Sequence, residues 1–260
     1  MDDRIIYYID EDGDDLKNPV MIVGLPGVGH VGKFVADHLV EVLKAEKIAD
    51  IYSKHFPPQV IVGEDNTVSL VGNRLYLANM EKMDLLILAG DSQSGDPSGH
   101  YNLCDLYMEM AARFKVNRIY TLGGYPTGIP GSENYVIGAV NDVKLVDELK
   151  EKGVQFNPSE PPGGIVGASG LILAFAQSQN IDAACLMGTT AGYIADPRSS
   201  KELLNVLCRI LEIEVDPSEL DEKIKNMDQM VEKIRDSVTG EEYVKYVEQP
   251  ENEDDLVYFG

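Results

Sequence analysis

The sequence has no tryptophan, only three cysteines and four histidines, and half as many basic as acidic residues. Each shortage removes a class of function. Lysine and arginine number 22 against 44 aspartates and glutamates, a formal net charge of −22. A surface of that sign repels phosphate backbones and anionic headgroups, so neither nucleic acid nor a membrane is an expected partner. A basic protein surface would be attracted, although solubility alone also accounts for the acidity. Cys104, Cys185 and Cys208 are odd in number, widely spaced and without a C-x-x-C pair, which argues against a disulfide framework or a zinc site. Cys185 lies in an apolar run and Cys208 on an apolar helical face, the settings of small buried hydrophobes. His30, His38, His55 and His100 lack metal-ligand spacing, so no metal is expected. No apolar run approaches the ~20 residues that span a bilayer, and the opening Met1-Asp2-Asp3-Arg4 has no signal-peptide character. The expectation is a soluble, cytoplasmic protein.

What is present suits a globular α/β chain. With 260 residues, 44% hydrophobic and 25% charged, the length allows one large domain or two small ones. Residues 4–9 and the apolar run Pro19–Leu25 read as strands. A glycine-rich stretch, 24–32, leads into a helix over Lys33–Lys47, with Phe34, Leu39, Val42 and Leu43 near one face. Strands are expected at Val60–Val62, Val68–Val71, Asn73–Leu77, Asp84–Leu88, Arg118–Leu122, Val136–Ala139 and Ala183–Met187. Helices are expected at about Asn102–Phe114, Val143–Lys152 and Leu171–Ser178. Another starts at Asp196-Pro197, an N-cap followed by proline at the first helical position, and runs to about Leu211. Apolar strands alternating with helices predict a central mixed, largely parallel sheet wrapped by helices, residues 1–217. The loops after Gly24, Gly90, Gly123 and Gly188 then gather at its carboxyl edge, where ligands bind such sheets.

From Ser218 the pattern changes. Leu220, Ile224, Met227, Val231, Ile234 and Val238 make a heptad-like stripe, so 218–240 reads as an amphipathic helix docked on the body or on a neighbouring subunit. Residues 241–260 read as an acidic, flexible tail. It finishes Leu256-Val257-Tyr258-Phe259-Gly260, an apolar, aromatic end that solvation alone does not call for.

Gly27, Gly29 and Gly32 form G-x-G-x-x-G between a strand and a helix, the context of a dinucleotide loop. Asp50 stands near the place of the acidic ribose partner, but no clear strand leads to it. Gly27-x-x-x-x-Gly32-Lys33 nearly fits a P-loop, yet Phe34 replaces the hydroxyl residue that holds magnesium. The simplest reading is a tight strand-to-helix turn with close helix packing. Ser169 has no evident histidine base and reads as a helix cap. The loops Asp91–Asp96 and Gly123–Gly128 suit either a small-ligand cleft or turns. Glu133 and Asp196 are isolated acids. No catalytic constellation stands out, and no cofactor is expected.

Three stretches together resemble the proteasome assembly chaperone family named for the second subunit of the eukaryotic chaperone pair. They are Gly24-Leu25-Pro26-Gly27-Val28-Gly29-His30-Val31-Gly32-Lys33, then Gly123-Gly124-Tyr125-Pro126-Thr127-Gly128, then Gly164–Asp196 with Leu186-Met187-Gly188-Thr189-Thr190-Ala191-Gly192-Tyr193. The resemblance covers roughly residues 18–215. It implies a fold similar to purine nucleoside phosphorylases, homo-oligomers, and no established catalytic residues. It also implies an ATP-independent, non-enzymatic role on proteasome α-subunits or the core particle. Some archaeal-type members carry a C-terminal hydrophobic–tyrosine–any-residue motif that docks between α-subunits. Here Phe259 is penultimate, and Tyr258, preceded by Val257, stands one residue early. Either Phe259 substitutes or docking shifts by one residue, with Gly260 supplying a carboxylate. The alternative is a small-ligand binder or enzyme that holds a phosphate or nucleoside-type ligand through Gly27, Gly29, Gly32 and Lys33.

Overall fold

The computed structural model describes residues 3–10, 13–128, 134–157, 160–192 and 195–226. In chain order these form β1 (Arg4–Tyr7), β2 (Val20–Gly24), α1 (Val31–Val42), β3 (Glu46–Tyr52), β4 (Val60–Val62), β5 (Val68–Leu70), β6 (Asn73–Asn79), β7 (Asp84–Gly90) and α2 (Pro97–Arg113). There follow β8 (Arg118–Pro126), β9 (Val136–Val140), α3 (Leu145–Glu151), β10 (Val154–Gln155), α4 (Ala168–Ser178), β11 (Asp182–Thr190) and α5 (Pro197–Leu211). Residues 218–226 are also helical and are called α6.

Nine strands make one sheet in the order β1-β3-β6-β7-β2-β8-β11-β9-β10. The centre, β7-β2-β8-β11, is parallel throughout. The strands outside it join antiparallel, except that β10 runs parallel to β9. This is the mixed sheet that the apolar runs predict. Successive residues of those runs point to opposite faces. Met21, Val23, Leu86, Leu88 and Cys185 pack in one core with α2 and α4. Ile22, Leu85, Ile87, Tyr120 and Leu186 pack in the other with α1, α3 and α5. Both faces are covered, so the middles of the central strands are mostly apolar, with polar side chains such as Asp84, Arg118, Asp182, Thr189 and Thr190 toward the strand ends.

Four elements depart from the sequence-based expectation. The helix expected to reach Lys47 stops at Val42; Lys44 takes a positive φ of 51° and β3 begins at Glu46. The sequence Glu-Lys-Ile-Ala-Asp-Ile-Tyr hides this strand because charges interrupt its apolar alternation and a bulge falls between Lys47 and Ala49. Strand β8 does not end at Leu122 but runs through Gly123-Gly124-Tyr125-Pro126, paired with Met187–Thr190. Helix α2 starts at Pro97, not near Asn102, because Asp96 caps it by accepting from the Gly99 N–H at 2.9 Å. This is the same Asp-Pro signal that marks α5. Ser169 is not a cap: it sits within α4, whose N-cap is Gly167.

Helix α6 is docked, not appended. Leu220 is fully buried in the core shared with α1 and α5. His38, also fully buried, faces the Glu219 carboxylate with Nδ1 at 3.1 Å and donates from Nε2 to the Asp216 carbonyl at 2.8 Å. Lys201 and Asp221 pair at 2.5 Å. The Lys223 ammonium lies 5.4 Å from the Phe34 ring centre. Moving from 219 to 223, the contacts therefore step from His38 back to Phe34. Helix α6 runs antiparallel to α1, toward the carboxyl edge of the sheet. The remainder of the expected 218–240 helix, and the tail with Val257, Tyr258, Phe259 and Gly260, lie outside the described residues.

Replacing His38 with alanine removes both hydrogen bonds and opens a buried void. The expected loss is about 2–3 kcal/mol in urea unfolding, with faster amide exchange in 218–226 than in β2 or β7. Equal exchange in the variant and the parent would show that α6 is held without His38.

Candidate functional site, a neutral cleft at the carboxyl edge

The turn from β2 to α1 is built around missing side chains. A Cβ on Gly32 would lie 2.2 Å from the Leu122 carbonyl oxygen, and one on Gly24 would lie 2.4 Å from both Ala36 Cβ and the Gly32 carbonyl. Gly29 has φ +62°, and His30 follows at 50°. Gly124 in β8 lets the Val28 carbonyl come within 2.2 Å of where its own Cβ would be. The glycines thus lay the first turn of α1 on β2 and β8. Gly27 differs: a Cβ there would meet nothing nearer than Gln93 Nε2 at 3.8 Å.

Lys33 pairs with Asp37 at 2.8 Å, one turn along α1. Asp50 does lie on a strand, contrary to expectation, but on β3. That strand is separated from β2 by β6 and β7 and takes part only in antiparallel pairings. Its carboxylate accepts from the Tyr8 hydroxyl and from Lys47 at 3.2 Å. The acidic partner of a dinucleotide loop is therefore not beside Gly27, Gly29 and Gly32.

The loops after β2, β7, β8 and β11 do converge. Gln93 ties two of their neighbours together, donating to the Pro26 carbonyl at 2.8 Å and accepting from the Ala168 N–H at 3.0 Å. The Asp196 N–H donates to the Gly29 carbonyl at 2.8 Å and joins the start of α5 to the same turn. Thr127 and Thr190 link β8 to β11, the Thr127 N–H donating to the Thr190 carbonyl at 2.8 Å. Nothing in the spacing of Gln93 marks it out; only the fold brings residues 26, 93 and 168 together.

Between these loops lies a cleft of ≈ 560 Å³, bordered by Gly27, Val28 and Gly32 and walled by Leu25, Tyr125, Ile165 and Met187. Its described lining contains no lysine, arginine, histidine, aspartate or glutamate. Cys185 lies at its floor, and burial pushes that thiol up to about 11, so it stays protonated at neutral pH. Ser169 also borders the cleft but faces no base there. A phosphate would meet no cation in the described lining. The chemistry suits an uncharged, largely apolar occupant.

A second feature was only half visible in the sequence. Strands β4 and β5 form a separate two-stranded hairpin. Val60, Val62, Val68 and Leu70 share one of its faces and are 50%, 63%, 66% and 49% exposed. An apolar groove of ≈ 480 Å³ at its foot is lined by Tyr52, Phe56, Pro57 and Pro58. The strands were legible; that none of the described residues covers their aliphatic face was not.

Comparison with known proteins gives this architecture relatives. The model of the PAC2 family matches residues 21–235. An uncharacterized protein of Methanocaldococcus jannaschii is 38% identical over 258 residues, 99% of this chain and 98% of that one. Among solved structures, Pyrococcus furiosus PbaB, described as an archaeal proteasome activator, has a TM-score of 0.83 at 33% identity, covering 90% of this chain and 99% of that one. Pyrococcus furiosus PbaA, described as an archaeal homolog of proteasome-assembly chaperone, has a TM-score of 0.70 at 22% identity over 94% of this chain and 99% of that one. At that identity it attests the fold alone.

The two kinds of glycine in the turn separate experimentally. Gly32→Ala drives a methyl into a backbone carbonyl and is expected to cost about 1–3 kcal/mol or prevent folding. Gly27→Ala, at an extended φ of −169° with open space, is expected to change stability by no more than ~0.5 kcal/mol. Thermal unfolding of the two variants checks this, and similar losses in both would contradict the packing account.

Proposed function

The chain belongs to the PAC2 family, and from that premise we propose that it is a non-enzymatic chaperone or adaptor of proteasome assembly. It contacts proteasome α-subunits or the core particle, in part through Val257, Tyr258, Phe259 and Gly260. The observation that carries this reading is the 33% identity, over 90% of the chain, to a protein described as a proteasome activator. The candidate site favours binding over reaction, since its described lining offers no charged group to move a proton. The acidic linker before the tail supplies reach: residues 248–257 extend about 33 Å at roughly 3.3 Å per residue. Self-association belongs to the same reading. Several tails on one oligomer raise avidity without new contacts, and the aliphatic face of the β4–β5 hairpin, exposed among the described residues, is a surface suited to self-association.

Two measurements test these parts separately. In a pull-down of the proteasome core and of free α-subunits, full-length protein is expected to be retained, and a chain ending at Asp255 to be retained at least ten-fold less. Equal retention would remove the tail from the reading, and loss of both at moderate salt would remove the proteasome. Val62→Asp with Val68→Asp is expected to lower the sedimentation mass while leaving the melting temperature of the folded body within a few degrees. An unchanged mass would take the hairpin out of the oligomer contact.

A further inference from the structure

The neutral cleft has an unassigned occupant, and three observations narrow it. The first is chemical. The cleft walls are largely aliphatic, aromatic and glycine, joined by Gln93 and Ser169 but by no charged side chain in the described lining, on a chain of net charge −22. An anionic metabolite finds no cation in the described lining, whereas a short aliphatic and aromatic peptide finds apolar walls. Val166, on the cleft rim, is 78% exposed and extends this apolar surface outward.

The second observation is directional. Helix α6 steps back along α1 from His38 to Phe34, so it leads to the sheet edge that bears the cleft. Gly32, in the first turn of α1, borders the cleft itself. The third is the chain beyond. Residues 227–255 span roughly 45 Å if helical and about 95 Å if extended. A domain of this size has a radius of gyration of about 17 Å, so either limit suffices. The stretch ends in Leu256-Val257-Tyr258-Phe259, the most apolar segment in an otherwise acidic region.

We propose that the cleft at the carboxyl edge is a binding site for a short apolar–aromatic peptide, and that its occupant is residues 256–259 of the same chain. Leu256, Val257, Tyr258 and Phe259 leave water for the walls formed by Leu25, Ile165 and Met187, while the acidic residues 251–255 stay in solvent. The cleft then competes for the segment that the proposed function assigns to a partner. The inference does not depend on that function, and its test contains no proteasome.

The test is disulfide trapping in the full-length chain. One variant carries Val166→Cys with Phe259→Cys. The control carries Val143→Cys with Phe259→Cys; Val143 is 82% exposed and follows β9 at the opposite, amino edge of the sheet. The native Cys104 and Cys185 are buried and Cys208 is half-buried, and burial pushes all three thiols up. Under dilute, mildly oxidising conditions the 166–259 bridge is expected to form within a monomer at least ten times faster than the 143–259 bridge. Excess synthetic peptide of residues 250–260 should slow it toward the control rate. Adding Leu256→Ser and Tyr258→Ser should do the same, without touching the folded body. Equal rates for the two cysteine pairs would overturn the proposal, as would disulfide-linked dimers in place of bridged monomers.

Discussion

How closely helix α1 can lie on the sheet governs the whole carboxyl edge. Gly32 has no room for a methyl group beside the Leu122 carbonyl, and Gly24 has none beside Ala36. Because the close atoms are backbone carbonyls and the rigid Ala36 Cβ, no flexible side chain can yield to restore space. They fix the start of α1, and with it the turn 24–30. That turn in turn receives the Asp196 N–H through Gly29 and the Val28 carbonyl against Gly124. The entry to α5 and the extension of β8 are thus referred to one close approach.

The cleft is a by-product of that arrangement made usable by polar stitching. Parallel β7, β2, β8 and β11 send their connecting loops to one edge. Gln93 satisfies both the Pro26 carbonyl and the Ala168 N–H, groups that would otherwise be left without a protein partner at the cleft wall. What remains of the described lining is mostly apolar side chain and glycine, with the Ser169 hydroxyl. The glycine pattern that resembles a nucleotide loop therefore has a packing explanation. Lys33 is committed to Asp37, and Asp50 is committed to Tyr8 and Lys47 on a distant strand.

The layered fold was legible because its strongest signals are local. Apolar runs such as Val20–Gly24 and Asp84–Gly90 are buried on both faces and leave little else for the chain to do. Strand β3 was illegible because Glu46, Lys47 and Asp50 interrupt it, and its place comes from pairing with β1 and β6 far away in sequence. The extension of β8 through two glycines and a proline contradicts strand propensity; Gly124 is tolerated there for the close approach of Val28. Asp96-Pro97 carried the same helix-start signal as Asp196-Pro197 and was available to be read. The resemblance carried by residues 24–33, 123–128 and 164–196 led to the family that the comparisons establish. The lack of charge in the described lining of the cleft and the exposure of the β4–β5 hairpin among the described residues depend on which loops meet, and no spacing in the sequence encodes that.

The link between His38 and Glu219 joins residues 181 positions apart. A chain emerging from a ribosome at about 5–20 residues per second leaves some ten to forty seconds between the two. During that interval α1 has been made, yet its groove for Leu220 has nothing to fill it. The outer face of the earliest helix thus waits for nearly the last described residue, and by order of synthesis α6 joins after the rest of the described body has been made. Until residue 220 has been made, the place that Leu220 fills beside α1 is empty.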